Sequence, residues 1–262
     1  MEQKQIKALF FDVDHTLFDH DLQDFPASAK VALSQLVDRG YRIYIATSRS
    51  EQELANARAS IQAFPFSGII TCGGAMIRIG EQVIETTAMS PAASSWVMEY
   101  CRNHQVDVRW QSETECCFDS NPKEASSQTF AYLYHMVPEV KKWQNEHLLN
   151  ILCYTDETQA AYVAEQLQDA SVVRFKRAIE VTGKGVNKAT AMRQIAKLHG
   201  YELSEIAAFG DGENDLRMIQ EAGVGIAMGN GVPSLKAAAD FVTKEIMDDG
   251  IYHACRTMGW IE

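Results

Sequence analysis

The sequence predicts an α/β fold in which a parallel sheet forms the core and an inserted α+β segment interrupts it. Short apolar runs alternate with segments of helical periodicity near both ends of the chain, a pattern typical of strands joined by helical crossovers. Polar clusters follow several of these runs, at the strand ends where parallel sheets bind ligands. The 262-residue chain is long enough to hold a second domain between the two parts.

The first apolar run, residues 6–11, has the composition of a strand that is buried on both faces of a parallel sheet. It ends at Asp12 and Asp14, and Thr16 follows two residues later. If the backbone stays extended, both carboxylates point to the same side. Two negative charges this close repel each other unless a cation lies between them, and oxygen ligands favour Mg²⁺. The alternative is an acidic surface turn without a function.

The α/β alternation continues over two further strands. Helices are predicted at 26–38 and 51–63, and strands at 41–46 and 67–71. The first of these strands ends in Thr47, Ser48 and Arg49, and the second ends in a Cys-Gly-Gly sequence. Right-handed crossovers would bring both strand ends to the same edge of the sheet as Asp12 and Asp14.

The order of elements changes after residue 74. The prediction is a hairpin at 75–86, helices at 91–104 and 156–167, and strands at 106–111, 114–119, 149–154, 171–176 and 178–182. A polar, partly helical passage covers 121–147. We expect residues 84–182 to form an inserted α+β domain, and residues 1–83 and 183–262 to form one discontinuous, Rossmann-like core.

The alternation returns in the last part of the chain, with helices predicted at 187–199, 214–222 and 248–257 and strands at 206–209 and 224–227. Asp211 and Asp215 follow the first of these strands, so four carboxylates can converge together with Asp12 and Asp14. Such a cluster is tolerable only with compensating positive charge. A divalent cation and Lys188, near the start of the returning helix, would supply that charge.

The chemistry of this cluster points to a phosphorylated ligand. The hydroxyl groups of Thr16 and Thr47 and the N–H groups at helix starts can hold phosphoryl oxygens, so a transferable phosphoryl group is expected there. The formal net charge of −11 argues against a general binder of polyanions such as nucleic acid. A small phosphorylated metabolite is compatible with this charge, because a metal ion and a few local cations can neutralise it.

The remaining composition favours a cytoplasmic protein. No segment has the unbroken apolar length needed to span a membrane, and the polar residues 1–7 leave no signal peptide. The six cysteines show no paired spacing such as C-x-x-C, so reduced structural thiols are expected.

Six sequence motifs resemble those of one enzyme family. They are FFDVDHTL at 10–17, IATSR at 45–49, GKGVNKATAM at 183–192, GDGENDLRMI at 210–219, AMGNG with AADFVT at 227–243, and DDGI at 248–251. In order and spacing the chain resembles a haloacid-dehalogenase (HAD) superfamily phosphatase of the Cof-like branch, with a large C2-type cap inserted before the lysine motif. The insertion resembles that cap only in position, length and α/β order.

The resemblance implies a role for each motif residue. Asp12 would be the nucleophile that attacks phosphorus, and Asp14 would protonate the leaving oxygen and later activate water. Asp12, Asp14 through its main-chain carbonyl, and Asp211 would hold Mg²⁺. The residues expected to bind phosphoryl oxygens are Thr47, Ser48, Lys188 and Asn214, and those expected to support them are Thr16, Arg49 and Asp215.

Two points of the sequence stay open, the role of His15 and the contacts that the insertion makes with the substrate. His15 stands where the family usually has glycine; it can adopt the required backbone shape, touch the substrate or face solvent, and the last two are favoured. Arg109, Lys176 and Arg177, on predicted strands of the insertion, are candidates for contact with the substrate.

The expected function is that of a Mg²⁺-dependent phosphomonoester hydrolase that acts on small phosphorylated metabolites, with sugar phosphates as the leading class, through an aspartyl-phosphate intermediate. One alternative is a phosphosugar mutase. Mutases of this superfamily typically carry a small helical cap after the first strand, whereas the connection at 19–26 is short. The other alternative is a phospho-aspartate regulatory module, which would lack a second aspartate placed as Asp14 is, and a cap of this size.

Overall fold

The computed structural model of the chain describes residues 5–262, so the first four residues of the polar segment 1–7 lie outside it. The strands are β1 Ala8–Phe11, β2 Arg42–Ala46, β3 Gly68–Thr71, β4 Met76–Ile79, β5 Gln82–Thr86, β6 Val108–Gln111, β7 Cys116–Phe118, β8 Glu139–Val140, β9 Asn150–Cys153, β10 Ala170–Arg174, β11 Ile179–Gly183, β12 Ile206–Gly210, β13 Val224–Ala227 and β14 Phe241–Val242. The α-helices are α1 Ala27–Asp38, α2 Arg58–Gln62, α3 Pro91–Asn103, α4 Glu124–Tyr134, α5 Glu157–Gln166, α6 Lys188–His199, α7 Leu216–Glu221, α8 Pro233–Ala238 and α9 Gly250–Thr257.

Within residues 5–262 the larger sheet has eight strands in the order β14-β13-β12-β1-β2-β3-β4-β5. Its first six strands are parallel, and β4 and β5 add an antiparallel hairpin at one edge. Strand β1 lies between β2 and β12, with Phe11 opposite Ile45 on one side and Phe209 on the other. The predicted α/β class with a parallel core is confirmed.

Helices cover both faces of this sheet, which explains why β1 is apolar along its whole length. Leu9 and Phe11 pack in one apolar cluster with residues of α1 and α9. Ala8 and Phe10 point the other way, into a second cluster with residues of α6 and α7. Because no position of the strand faces solvent, the polar residues that follow it mark its carboxyl end.

The smaller sheet, in the order β10-β11-β9-β6-β7-β8, is made by the chain between residues 108 and 183. One face carries Trp110, Ile151 and Val181, which pack with residues of α3 and α5. The neighbouring positions of the same strands, which alternation directs to the other face, include Arg109 and Glu180. This polar face meets the carboxyl ends of the larger sheet.

The helix predicted at 51–63 is the main local error, because only Arg58–Gln62 is helical. The Glu53 carboxylate accepts the N–H of Ser50, and the Ser50 hydroxyl accepts the N–H of Glu53. Turns with N–H to carbonyl bonds three residues back, such as Ala57 to Leu54, take the place of regular helix. Such local side-chain bonds compete with a helix.

Two short strands, β8 and β14, and helix α8 were not predicted. Each is six residues or shorter, which gives little room for a periodic pattern to develop. No helix among residues 5–262 is both long enough and apolar enough to cross a membrane.

Candidate active site

Three elements bring a lysine and three carboxylates together at the carboxyl end of β1. Asp12 follows β1, Asp211 follows β12, and Lys188 is the first residue of α6. The Lys188 ammonium nitrogen lies 2.5 Å from Asp12 Oδ1 and 2.7 Å from Asp215 Oδ1. Asp12, Asp211 and Asp215 each offer an oxygen within 4.8 Å of the others.

A close approach between two chain segments positions Lys188. Asn187 caps α6, because its side-chain oxygen accepts the N–H of Thr190 at 3.0 Å. Gly74 lies against this cap with φ +106°, and a Cβ there would lie 2.3 Å from the Asn187 carbonyl oxygen. Only glycine allows the loop after β3 to pack so closely against the start of α6.

Asp215 uses both of its carboxylate oxygens within the protein. Oδ2 accepts the N–H groups of Asp211 and Gly212, both at 3.0 Å, while Oδ1 accepts from Lys188. A Cβ at Gly210 would lie 2.4 Å from the Cβ of Asp215, so glycine is needed at the end of β12. Asp215 therefore holds the turn that presents Asp211 and orients Lys188.

Burial and mutual repulsion raise the pKa values of Asp12 and Asp211 in this cluster. Burial raises the pKa of Asp12 to about 7, and the charges of Asp215 and Asp14 add to this effect while Lys188 opposes it. Burial also raises the pKa of Asp211, again with help from its neighbours Asp12 and Asp215. A raised pKa means that the negative charge of each carboxylate is poorly compensated, so Asp12 and Asp211 together favour a further positive charge at the carboxyl ends of β1 and β12. A hard divalent cation fits this set of oxygen donors.

The carboxylate of Asp14 does not join the other three, contrary to the expected convergence of four acids. Arg49 donates from Nε to Oδ2 at 3.0 Å and from Nη2 to Oδ1 at 2.5 Å. The Nε2 atom of His20 lies 2.8 Å from Oδ1. Although burial acts to raise the pKa of Asp14, the positive charge of Arg49 and the contact with His20 hold it well below its usual range. These two partners draw the carboxylate away from the acid cluster.

The remaining predicted residues lie around the same strand ends. The Thr47 hydroxyl accepts the backbone N–H of Arg49 at 3.1 Å, and the Thr16 hydroxyl lies 3.5 Å from Asp211 Oδ1. The Asn214 amide donates to the Ser48 hydroxyl at 3.0 Å, so these two expected phosphate ligands touch each other.

His15 adopts the backbone shape that glycine usually provides in the family. Its φ is 57°, its side chain is exposed, and its carbonyl accepts the side-chain N–H of Asn230 at 2.8 Å. Of the two favoured expectations, exposure of the side chain to solvent is observed, while contact with the substrate stays a prediction. The positive φ shows that the backbone role applies as well.

Several polar residues near the strand ends were not predicted from the sequence. Glu53 is one of them, and its Oε1 lies 3.1 Å from Nε of Arg109. Of the three residues predicted as candidates for substrate contact, Arg109 is buried, whereas Lys176 and Arg177 are exposed. Glu180 reaches the core beside Gly73, where a Cβ would lie 2.8 Å from its carboxylate. Polar residues at alternate positions of β6 and β11 were the available signal for this inward face. His20 gave no such signal.

Comparison with known proteins agrees with this geometry. The model of the haloacid dehalogenase-like hydrolase family matches residues 9–255, and the chain belongs to this family. Within it the chain is a phosphatase, on the basis of its relatives and of its fold.

Two curated relatives and one solved structure illustrate the similarity. YkrA of Bacillus subtilis (strain 168), a phosphatase by inference, is 27% identical over 260 residues, which cover 98% of this chain and 99% of YkrA. The 5-amino-6-(5-phospho-D-ribitylamino)uracil phosphatase YcsE of the same organism is 24% identical, over 97% of this chain and 96% of YcsE. The structure of the HAD subclass IIB sugar phosphatase BT4131 superposes with a TM-score of 0.93 at 30% identity, covering 97% of this chain and 100% of that one.

Proposed function

We propose that the protein is a Mg²⁺-dependent phosphomonoester hydrolase that acts on small phosphorylated metabolites, foremost sugar phosphates, through an aspartyl-phosphate. The observation that carries the proposal is the contact of Lys188 with Asp12 beside Asp211, at the end of a buried strand. A carboxylate nucleophile held by a cation can accept a phosphoryl group and split one difficult displacement into two easier ones.

In the first step, an Asp12 oxygen bonds to phosphorus while the bond from phosphorus to the leaving oxygen breaks. Asp14 must first take up a proton, against the effect of Arg49 and His20 on its pKa, and it then gives this proton to that oxygen. In the second step, a water oxygen bonds to the same phosphorus, Asp14 takes a proton from the water, and the bond to Asp12 breaks. Inorganic phosphate leaves, Asp12 is again a carboxylate, and Asp14 is again in its acid form.

Lys188 and the polar groups near it have electrostatic and orienting roles. The ammonium group of Lys188 screens Asp12 and can also attract phosphoryl oxygens, as can Thr47, Ser48 and Asn214. Asp12, Asp211 and the main-chain carbonyl of Asp14 would hold Mg²⁺, with Asp215 orienting them. When bound, the ion supplies positive charge that offsets both the carboxylates and the phosphoryl oxygens.

The choice of sugar phosphates is supported by the surface that lies over the acid cluster. Arg109, Gln111, Asn150 and Glu180 are buried polar residues of the smaller sheet, and Arg109 donates to Asn150 at 2.6 Å. Polar groups of this kind suit a leaving group rich in hydroxyls. BT4131 is a sugar phosphatase, and the substrate named for YcsE carries a phosphoribityl chain. We assign the chemistry to residues 1–83 and 183–262 and the choice of leaving group to residues 84–182. The cytoplasmic location expected from the sequence stays a prediction.

A panel of phosphorylated metabolites, with phosphate release measured in Mg²⁺ and in chelator, tests the proposal. We expect release from sugar and polyol phosphates in Mg²⁺ only, and none from the Asp12→Asn variant. Interconversion of phosphosugar isomers without phosphate release would indicate a mutase instead. A phosphoenzyme that persists after the substrate is removed would indicate a regulatory module.

A further inference from the structure

The Asp14 carboxylate is fixed by two side chains that the phosphoryl-transfer scheme does not use. Arg49 grips both carboxylate oxygens through Nε and Nη2, and His20 Nε2 lies 2.8 Å from Oδ1. The side chains of both holders are almost completely buried, with 0% and 1% exposed. The direction in which Asp14 points is therefore set by Arg49 and His20.

Both holders lie between the core and the last turn of helix α4, in the inserted segment. On the core side, Phe18 contacts each of them, with its ring centre 5.2 Å from the Arg49 guanidinium carbon and 5.6 Å from the His20 ring. On the α4 side, the Tyr134 ring lies 4.8 Å from Arg49, and the Tyr132 ring lies 5.8 Å from His20. Each holder of Asp14 thus has an aromatic ring of the inserted segment against it.

Hydrogen bonds fasten the same turn of α4 to the core. The Tyr132 hydroxyl donates to Asp21 Oδ1 at 2.9 Å. The Asn56 side-chain N–H donates to the Leu133 carbonyl at 3.1 Å, and the Asn56 Oδ1 accepts from Arg49 at 2.7 Å. Three consecutive residues of α4, 132–134, are therefore tied to Arg49, to His20 or to their immediate neighbours.

We propose that Tyr132 and Tyr134 are positioning residues for Asp14, acting through His20 and Arg49. The proton given to the leaving oxygen must come from a carboxylate held in place, and a small displacement of that carboxylate slows its transfer. Seating α4 on the two holders supplies that restraint, so the inserted segment contributes to the acid–base step as well as to binding. This inference rests on the proposed function, in which Asp14 is the acid.

The dependence of kcat/KM on the leaving group isolates this role. p-Nitrophenolate leaves without a proton, phenolate gains some benefit from one, and a simple alkoxide needs it. We expect the Tyr132→Leu, Tyr134→Leu double variant to lose roughly 10- to 100-fold in kcat/KM for alkyl phosphates. The same variant should stay within about threefold of the wild type on p-nitrophenyl phosphate, because that reaction does not use the acid.

Four further variants separate positioning from general support of the fold. Tyr132→Phe and Tyr134→Phe keep the rings and should keep the wild-type dependence on the leaving group. Tyr162→Leu removes a ring that packs on Tyr100 within the inserted segment, and it should leave that dependence unchanged. His20→Phe keeps an aromatic ring but removes the group that contacts Asp14, and it should steepen the dependence even if the tyrosine variants do not fold.

The outcomes are distinct. If the Tyr132→Leu, Tyr134→Leu double variant folds and loses kcat/KM equally on all esters, the inference is overturned and the proposed function still stands. The same holds if its dependence of kcat/KM on the leaving group is that of the wild type. A wild-type dependence of kcat/KM on the leaving group in His20→Phe would also overturn the inference and leave the proposed function standing. Absence of wild-type turnover on every ester would overturn the proposed function, and this inference with it.

Discussion

Lys188 Nζ lies 2.5 Å from Asp12 Oδ1, although 176 positions separate the two residues in the chain. Both side chains are buried, and Asp215 accepts a second hydrogen bond from the same ammonium group. Burial by itself would lower the pKa of Lys188, but the charges of Asp12 and Asp215 outweigh it and raise that pKa. The lysine therefore stays charged, and its positive charge compensates the buried carboxylates of Asp12 and Asp215.

Lys188→Met should remove this shared positive charge and leave two buried carboxylates without it. Breaking a buried ion pair typically lowers the free energy of unfolding by roughly 3–5 kcal/mol. Adding Asp215→Asn should recover part of the stability, because one of the orphaned charges is then gone, but it should not recover turnover. Denaturant unfolding and phosphate release, measured on both variants, would test this. Full stability in Lys188→Met alone would contradict it.

Asp12→Asn should abolish turnover, by roughly 10⁴-fold or more, because an amide cannot form the acyl-phosphate. The raised pKa of Asp12 shows that its charged form is disfavoured, so the metal-free variant at pH 8 should unfold no more easily than the wild type. Loss of activity with retained stability would separate a nucleophile from a structural residue. Near-normal turnover would rule out the mechanism.

Mg²⁺ should stabilise the protein more at pH 8 than at pH 6. The pKa of Asp12 is raised from 3.8 in the unfolded chain to about 7, so stability present below pH 3.8 is lost as the pH rises through 7 in the metal-free protein. Mg²⁺ offsets the ionised carboxylates above that pH, while below it the affinity should fall by roughly tenfold per pH unit as protons compete. Tm measured with and without Mg²⁺ at both pH values tests whether the rise in Tm caused by Mg²⁺ is larger at pH 8 than at pH 6. Ca²⁺ is the control, expected to raise Tm without supporting turnover.

Gly74→Ala should destabilise the protein and displace Lys188, because a Cβ at that position would overlap the Asn187 carbonyl. Gly80→Ala is the matched control. Gly80 also has a positive φ, of 58°, but nothing lies within 4 Å of the added carbon, so backbone strain of about 1–2 kcal/mol is the expected loss. A larger loss of stability and a lower kcat in Gly74→Ala than in Gly80→Ala is the predicted result. Equal effects would show that the close approach to α6 has no role.

Replacing residues 84–182 with a short Gly/Ser linker should spare the parallel sheet and its acid cluster. Such a protein should cleave p-nitrophenyl phosphate slowly, because that ester needs neither the polar face of the smaller sheet nor a protonated leaving group. Its kcat/KM values across natural phosphorylated metabolites should become nearly uniform. Stabilisation by Mg²⁺ provides the check that the core has folded. An unchanged ranking of substrates would show that the core, rather than the insertion, selects the leaving group.

The sequence was sufficient to predict the parallel core and most of the acid cluster. A strand covered on both faces must be apolar throughout, so Asp12 and Asp211 stand out as the first polar groups beyond β1 and β12. Lys188 could be predicted because four carboxylates need positive charge. Local pattern and charge balance carry these inferences, and neither requires knowledge of distant contacts.

The surroundings of Asp14 could not be predicted, because they depend on contacts between remote segments. His20 lies in a loop shaped by the Asp19 carboxylate, which accepts the N–H groups of Asp21 and Leu22. Its ring contacts Asp14 while packing against Phe18 and Tyr132, which come from different parts of the chain. Nothing in the periodicity of the chain records which loop meets which helix.

Strand β1 takes its two neighbours from distant parts of the chain, β2 shortly after it and β12 near the end. During synthesis, the strand that leads to Asp12 therefore leaves the ribosome with one edge that stays unpaired until residues 206–210 have been made. The smaller sheet comes from one continuous stretch and can close earlier, which suits a chain whose domains fold as units while it is being made. A chain that stops before Ile206 would have a complete six-stranded sheet, an open strand edge beside β1 and no catalytic centre.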